Sequence, residues 1–141
     1  MLYRILPVAA WLTLGTALAS PCFAGAADAA GHPAPRLSPT YETCMKAAAG
    51  VTVEMHDCID AEYARQDARL NQTYQAVLAR LSDDQTASLR EGERAWLRKT
   101  RRLCDHAGDD NAGGTLQAIE IADCQLTETA KRADALARYR P

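Results

Sequence analysis

The 141-residue chain is 48% hydrophobic and 24% charged, with a formal net charge of -2 at neutral pH. So mild a negative charge argues against a nucleic-acid binder. The length admits one small domain built on one core and excludes two.

In chain order, the first element is a leader. Arg4 is followed by an apolar run from Ile5 to Ala19 and then by the small-residue stretch SPCFAGA, the three-part layout of a secretory signal peptide. The run is short for a membrane span. Residues 1–24 are expected to leave by cleavage after Ala24, or after Ala26 on the same rule, and Cys22 leaves with them. A lipid anchor on Cys22 is disfavoured because Pro21 stands where a small residue is required. Loss of Arg4 changes the net charge from -2 to -3. The mature chain, with no membrane span, is expected in the periplasm or outside the cell. Residues 25–40, GAADAAGHPAPRLSPT, hold almost no large apolar group and read as a flexible lead.

The domain, residues 41–141, should be all-α. A short helix from about Tyr41 to Ala49 stops at Gly50, and Thr52 is placed to cap a longer one whose first turn holds Glu54. Ile59, Tyr63, Leu70, Tyr74, Val77, Leu78 and Leu81 keep helical spacing along it. The stretch SDDQ, Ser82 to Gln85, is a capping box that opens a third helix. That helix carries Leu89, Trp96 and Leu103 seven residues apart and should end near Cys104, since HAGDDNAGG is loop chemistry. Thr115 is placed to cap a last helix running toward Arg138, with Ile119, Ala122, Leu126, Ala133 and Leu136 inward. No alternating run rich in Val, Ile or Thr suggests a strand. The expected architecture is a small disulfide-stapled helical bundle of three to four helices.

With Cys22 gone, Cys44, Cys58, Cys104 and Cys124 remain, an even number in an exported chain, which favours two disulfides. Of the three possible pairings, Cys44 with Cys58 and Cys104 with Cys124 are preferred, because each spans a break between helices. Each would stabilise the fold by about 3 kcal/mol through loop closure. The absence of CxxC argues against thiol exchange, and the wide spacings against a zinc knuckle.

Catalytic constellations are hard to assemble. His56, Asp57 and Cys58 are neighbours, and neighbours on a helix point about 100° apart, so they cannot line up as nucleophile, base and orienter. His56 and Asp60 could supply two metal ligands, but nothing nearby completes a set, and a solvated helix face is the better reading. No catalytic residue, metal or cofactor is expected. The cluster RKTRR, residues 98–102, lies where a helix dipole favours cations and is read as structural.

Asp67 is the anomaly. Tyr63, Asp67, Leu70 and Tyr74 share one side of the second helix, so a charge stands among groups that favour burial. A carboxylate there must be paired or neutralised. Arg94, Arg101 and Arg132 are the candidate partners, with Asn71, Tyr74 and Trp96 completing a structural polar anchor. Direct contact of Asp67 with a ligand is the alternative.

Taken together, Cys44, Val53-Glu54, Cys58, Asp67-x-x-Leu70-Asn71-x-x-Tyr74, Leu78, Leu81, Arg94-x-Trp96-Leu97 and Cys104 form a pattern. It continues through Gly113-Gly114, Cys124, Thr129, Arg132 and Leu136, covers nearly all of residues 41–136, and resembles the LprI-type lysozyme inhibitor domain family. The resemblance implies a small, exported, helical, cysteine-paired protein. Two positions depart from it: Glu93 stands where members carry Gln, and Thr100, followed by Arg101, stands where they carry Arg. The family takes its name from members that inhibit animal-type lysozyme, so the resemblance implies that enzyme as a partner.

An inhibitor of a cationic enzyme needs an anionic approach surface. From Arg90 to Arg102 there are six basic and two acidic residues, whereas from Leu103 to Glu128 there are six acidic residues and no Lys or Arg. Asp105, Asp109, Asp110 and Asn111, on or beside a loop tethered by the Cys104–Cys124 bridge, are therefore the candidate partner contact. The expected function is stoichiometric inhibition of a lysozyme without cofactor. The alternative is a non-inhibitory envelope interaction module of the same fold, and an enzyme is disfavoured.

Overall fold

A computed structural model describes residues 34–141, so the expected signal peptide and most of the expected lead lie outside the described residues. The described chain contains helices α1 (Pro39–Ala48), α2 (Thr52–Leu78), α3 (Asp83–Asp105) and α4 (Thr115–Ala137), with one 3-10 turn at Asp109–Asn111. No strand occurs among the described residues. None of these helices is long and apolar enough to cross a membrane.

Local chemistry explains the boundaries. The Ser38 hydroxyl accepts the Tyr41 amide at 3.1 Å, and Pro39 occupies the first turn with its φ already set for a helix. Helix α1 therefore begins before the expected Tyr41. It ends through two left-handed residues, Ala49 at φ 47° and Gly50 at φ 86°, of which glycine adopts that region freely. This tight turn leaves only Val51 before α2, so Val51 holds the capping position and the expected Thr52 is already helical, without a side-chain cap. The expected capping box of α3 is formed, with Ser82 and Gln85 satisfying each other's backbone amides. At α4 the cap is Gly114, and Thr115 is the first helical residue rather than the cap.

Helices α2 and α4 form the central pair, α1 packs on α2, and α3 packs mainly on α4. The core divides into two apolar clusters. One joins Tyr41, Ala48, Cys58, Ile59, Ile119 and Leu126, and the other joins Leu70, Val77, Leu89, Ala133 and Leu136. Removing a side chain such as Leu126 from water contributes about 1.5–3 kcal/mol. The Cys44–Cys58 disulfide ties α1 to α2, and Cys104–Cys124 ties α3 to α4, at Cα separations of 5.7 and 5.5 Å.

The buried stripe of α2 is rotated from the expected one. Ile59, Glu62, Gln66, Leu70 and Val77 face the core, whereas Tyr63 remains 39% exposed. Leu103 of α3 is likewise 50% exposed, because α3 lies against α4 along one narrow face and commits only Leu89 and Cys104 fully to burial.

A polar layer separates the two clusters along α2. The Glu62 carboxylate accepts from the Ser38 amide (2.8 Å), the Ser38 hydroxyl (2.6 Å), Gln66 Nε2 (2.6 Å) and Arg65 Nε (2.7 Å). Asp134 of α4 accepts from Arg69 (2.7 Å) and from the Arg36 amide and guanidinium (3.2 Å each), while Gln66 also donates to the Arg36 carbonyl. Burial alone would raise both carboxyl pKa values, yet the converging donors outweigh it and hold both below their usual value. The expected flexible lead is thus corrected at its end. Residues 36–38 are strapped across α2 and α4 by backbone and charged donors, and Leu37 packs against the first apolar cluster. No buried side-chain nitrogen or oxygen among the described residues lacks a partner.

Candidate functional site

The pairing expected of Asp67 is not what the structure contains. Asp67 is half-buried, and its carboxylate accepts a hydrogen bond from Asn71 at 3.0 Å. None of the three arginines expected as its partners pairs with it. Arg94 pairs with Glu91 on its own helix at 2.7 Å, Arg132 pairs with Glu93, and Arg101 is exposed. A half-buried carboxylate keeps part of its hydration and can stand without a cation, whereas the fully buried Glu62 cannot.

Asp67 faces a groove of about 290 Å³ between α2 and α3. Tyr63, Asp67, Asn71 and Tyr74 line it from α2, Glu93, Trp96 and Leu97 line it from α3, and Leu70 and Thr129 are also in its wall. The Arg132 guanidinium lies 5.7 Å from the Trp96 ring centroid, a cation–π distance, while it pairs with Glu93. Glu93 is therefore neutralised, and Asp67 is the groove's uncompensated charge. The aromatic walls leave Tyr63 and Leu97 accessible at 39% and 56%.

The acidic end of the molecule is built differently. Cys104 is fully buried in its bridge to Cys124, and the loop after α3 is pressed onto α4. At Gly108 a β-carbon would come within 2.8 Å of Gln117, so only glycine allows that approach. The Asn111 amide donates to both Glu120 oxygens (2.8 and 3.0 Å), and the Gly113 amide donates to Gln117 at 2.9 Å. Asn111 thus pins the loop. Asp105, Asp109 and Asp110 are exposed, with His106 Nδ1 2.9 Å from Asp109. Beside them Leu103, His106, Glu120, Asp123 and Glu128 border one open depression. Asp123 also accepts from the Tyr41 hydroxyl at 3.2 Å, and burial, reinforced by the Asp123 charge, pushes that phenol up to about 12. Half-buried His56 and exposed Asp60 form a pair at 3.2 Å on α2.

Residues 44–136 match the family model for lysozyme inhibitor LprI. The chain belongs to the LprI family. A relative of this LprI chain, an uncharacterised protein of Rhizobium meliloti (strain 1021), is 29% identical over 102 residues, covering 63% of this chain and 72% of the relative. No solved structure matches.

The residues that carried the LprI resemblance divide by place. Cys44, Cys58, Cys104 and Cys124 make the two bridges, whereas Asp67, Leu70, Asn71, Tyr74, Trp96 and Leu97 converge on the groove. The departure at Glu93 supplies the carboxylate that Arg132 binds.

Sequence reasoning missed Arg36, Ser38, Glu62, Gln66, Arg69 and Asp134. Part of the signal was present: Ile59, Leu70 and Val77 stand 11 and 7 residues apart, and completing that helical stripe falls on Glu62, Gln66 and Thr73. The role of Arg36 and Ser38 had no such signal, because nothing in a polar, Ala- and Pro-rich stretch indicates which buried acids its backbone will meet.

Proposed function

We propose that this chain is an exported cell-envelope protein that inhibits an animal-type lysozyme by stoichiometric binding, without catalysis and without a cofactor. Membership of a lysozyme inhibitor family supports the target class. The observation that carries the reading is the acidic end: between Leu103 and Glu128 there are six carboxylates and no Lys or Arg. Their loop is held by a disulfide, by Asn111 on Glu120 and by Gly113 on Gln117.

A cationic lysozyme is drawn to such a surface by long-range attraction, and a pre-ordered loop loses little conformational entropy on docking. Exposed Leu103 and Leu116, 50% and 46% accessible, add apolar area near the charges. In this reading Asp105, Asp109 and Asp110 steer and contact the enzyme, while Asn111 keeps the loop in shape. Export agrees with the two disulfides, which persist in oxidising compartments.

The test is wall lysis by a purified animal-type lysozyme at low salt, with the chain added at rising molar ratio. Inhibition saturating at a fixed ratio is expected. The double substitution Asp109→Lys with Asp110→Lys should weaken it about tenfold or more, an effect shrinking as salt screens the charges. Unchanged inhibition by the double variant would remove the loop assignment. Binding without loss of lysis would make the chain a non-inhibitory interaction module.

A further inference from the structure

The groove between α2 and α3 combines two features. The first is a carboxylate, Asp67, that has a hydrogen bond from Asn71 but no ion-pair partner among the described residues, while Arg65 and Arg69 pair with Glu62 and Asp134, and Arg94 and Arg132 with Glu91 and Glu93. The second is an aromatic lining made by Tyr63, Tyr74 and Trp96, of which Tyr74 and Trp96 also pack against the second apolar cluster and Trp96 carries the Arg132 guanidinium, while Tyr63 is 39% exposed.

An anion lined by aromatic side chains suits a flat cation, which can pair with the carboxylate and pack on a ring at once. The groove's volume of about 290 Å³ is at the small end of ligand pockets and suits one side chain. A sugar ring could stack on the same aromatics but brings no charge to answer Asp67. A lysine could answer the charge but lacks the planar fork that also packs on rings.

We propose that this groove is a docking site for an arginine side chain of a basic partner protein, with the guanidinium on Asp67. The proposal rests on the protein-binding reading above for the source of the arginine, and its chemistry is tested without any lysozyme. The groove then anchors and the acidic end steers.

The experiment follows the assigned indole N–H resonance of Trp96 while the intact chain is titrated with N-acetyl-arginine amide. Parallel titrations use the uncharged citrulline analogue, the lysine analogue and a chito-oligosaccharide. A saturable shift is expected with the arginine compound, about tenfold weaker or more with citrulline, as befits loss of a charge-assisted bidentate pair. Asp67→Asn, which keeps the side chain's shape, should weaken arginine binding by a similar factor, and Asp110→Asn should leave it unchanged. Tyr63→Ala provides a second variant at a partly exposed position, and it should also weaken the arginine titration. Circular dichroism melting confirms that each variant is folded.

No saturable shift, equal binding of arginine and citrulline, arginine binding indifferent to both groove variants, or a response to the sugar alone would each overturn the proposal. If arginine binds as expected while lysozyme activity is untouched, the inhibitor reading fails and the site stands. The opposite pattern removes the site and leaves inhibition to the acidic end.

Discussion

Glu62 and Asp67 lie five residues apart on one helix, and the structure treats them oppositely. Glu62 is wholly buried and gathers Ser38, Arg65 and Gln66, whereas Asp67 is half-buried and has Asn71. The strap side of α2 has a closed polar layer between two apolar clusters. The groove side is left open because α3 leans on α4 instead of covering α2. A buried charge that is fully answered serves the fold, and a partly wet one left unanswered is available for something else.

The largest expected effect tests how far the open side depends on one covalent tie. Replacing both Cys104 and Cys124 by Ala should cost about 3 kcal/mol. Because α3 commits so little apolar surface, its amides should lose hydrogen-exchange protection well before those of α2 and α4. Uniform loss across all helices would show that α3 is as well held as the central pair.

Next in size, Glu62→Ala strips the acceptor from several donors and should cost about 2 kcal/mol in urea unfolding. Asp67→Ala in the same assay should cost less than about 0.5 kcal/mol, as for a surface position. Equal losses at the two sites would erase the contrast between them.

The smallest effect is a pH dependence. The folded-state pKa values of Glu62 and Asp134 are depressed, so their contribution is complete above the ordinary carboxylate range of about 4 and is lost as pH falls through the lower folded values. Melting temperature should fall on acidification from pH 5 to pH 3, and release of the Arg36–Ser38 strap should accompany the fall. Glu62→Gln should flatten that dependence while being less stable at pH 7. A variant with an unaltered slope would place the acid sensitivity elsewhere.

Much of the architecture was legible in advance. SDDQ announced the start of α3, the glycine-rich stretches marked the breaks, and the cysteines fell where bridges could span them. The polar partnerships were not. The stripe of Tyr63, Leu70 and Tyr74 points to Asp67 as an anchor, but of that stripe only Leu70 is buried, and the core face of α2 runs through Ile59, Glu62, Gln66 and Leu70. Likewise Arg94, Arg101 and Arg132 were plausible partners by type, and two of the three found carboxylates on α3 itself.

Sequence alone determined that this chain forms amphipathic helices with these breaks, this acidic stretch and these four cysteines, because capping, turn and spacing preferences act over a few residues. Only the tertiary structure decided which carboxylate is closed and which is open. Helical periodicity fixes a side chain's direction around its own axis, and the rotation and lean of neighbouring helices, set by packing across the whole bundle, fix what it meets there.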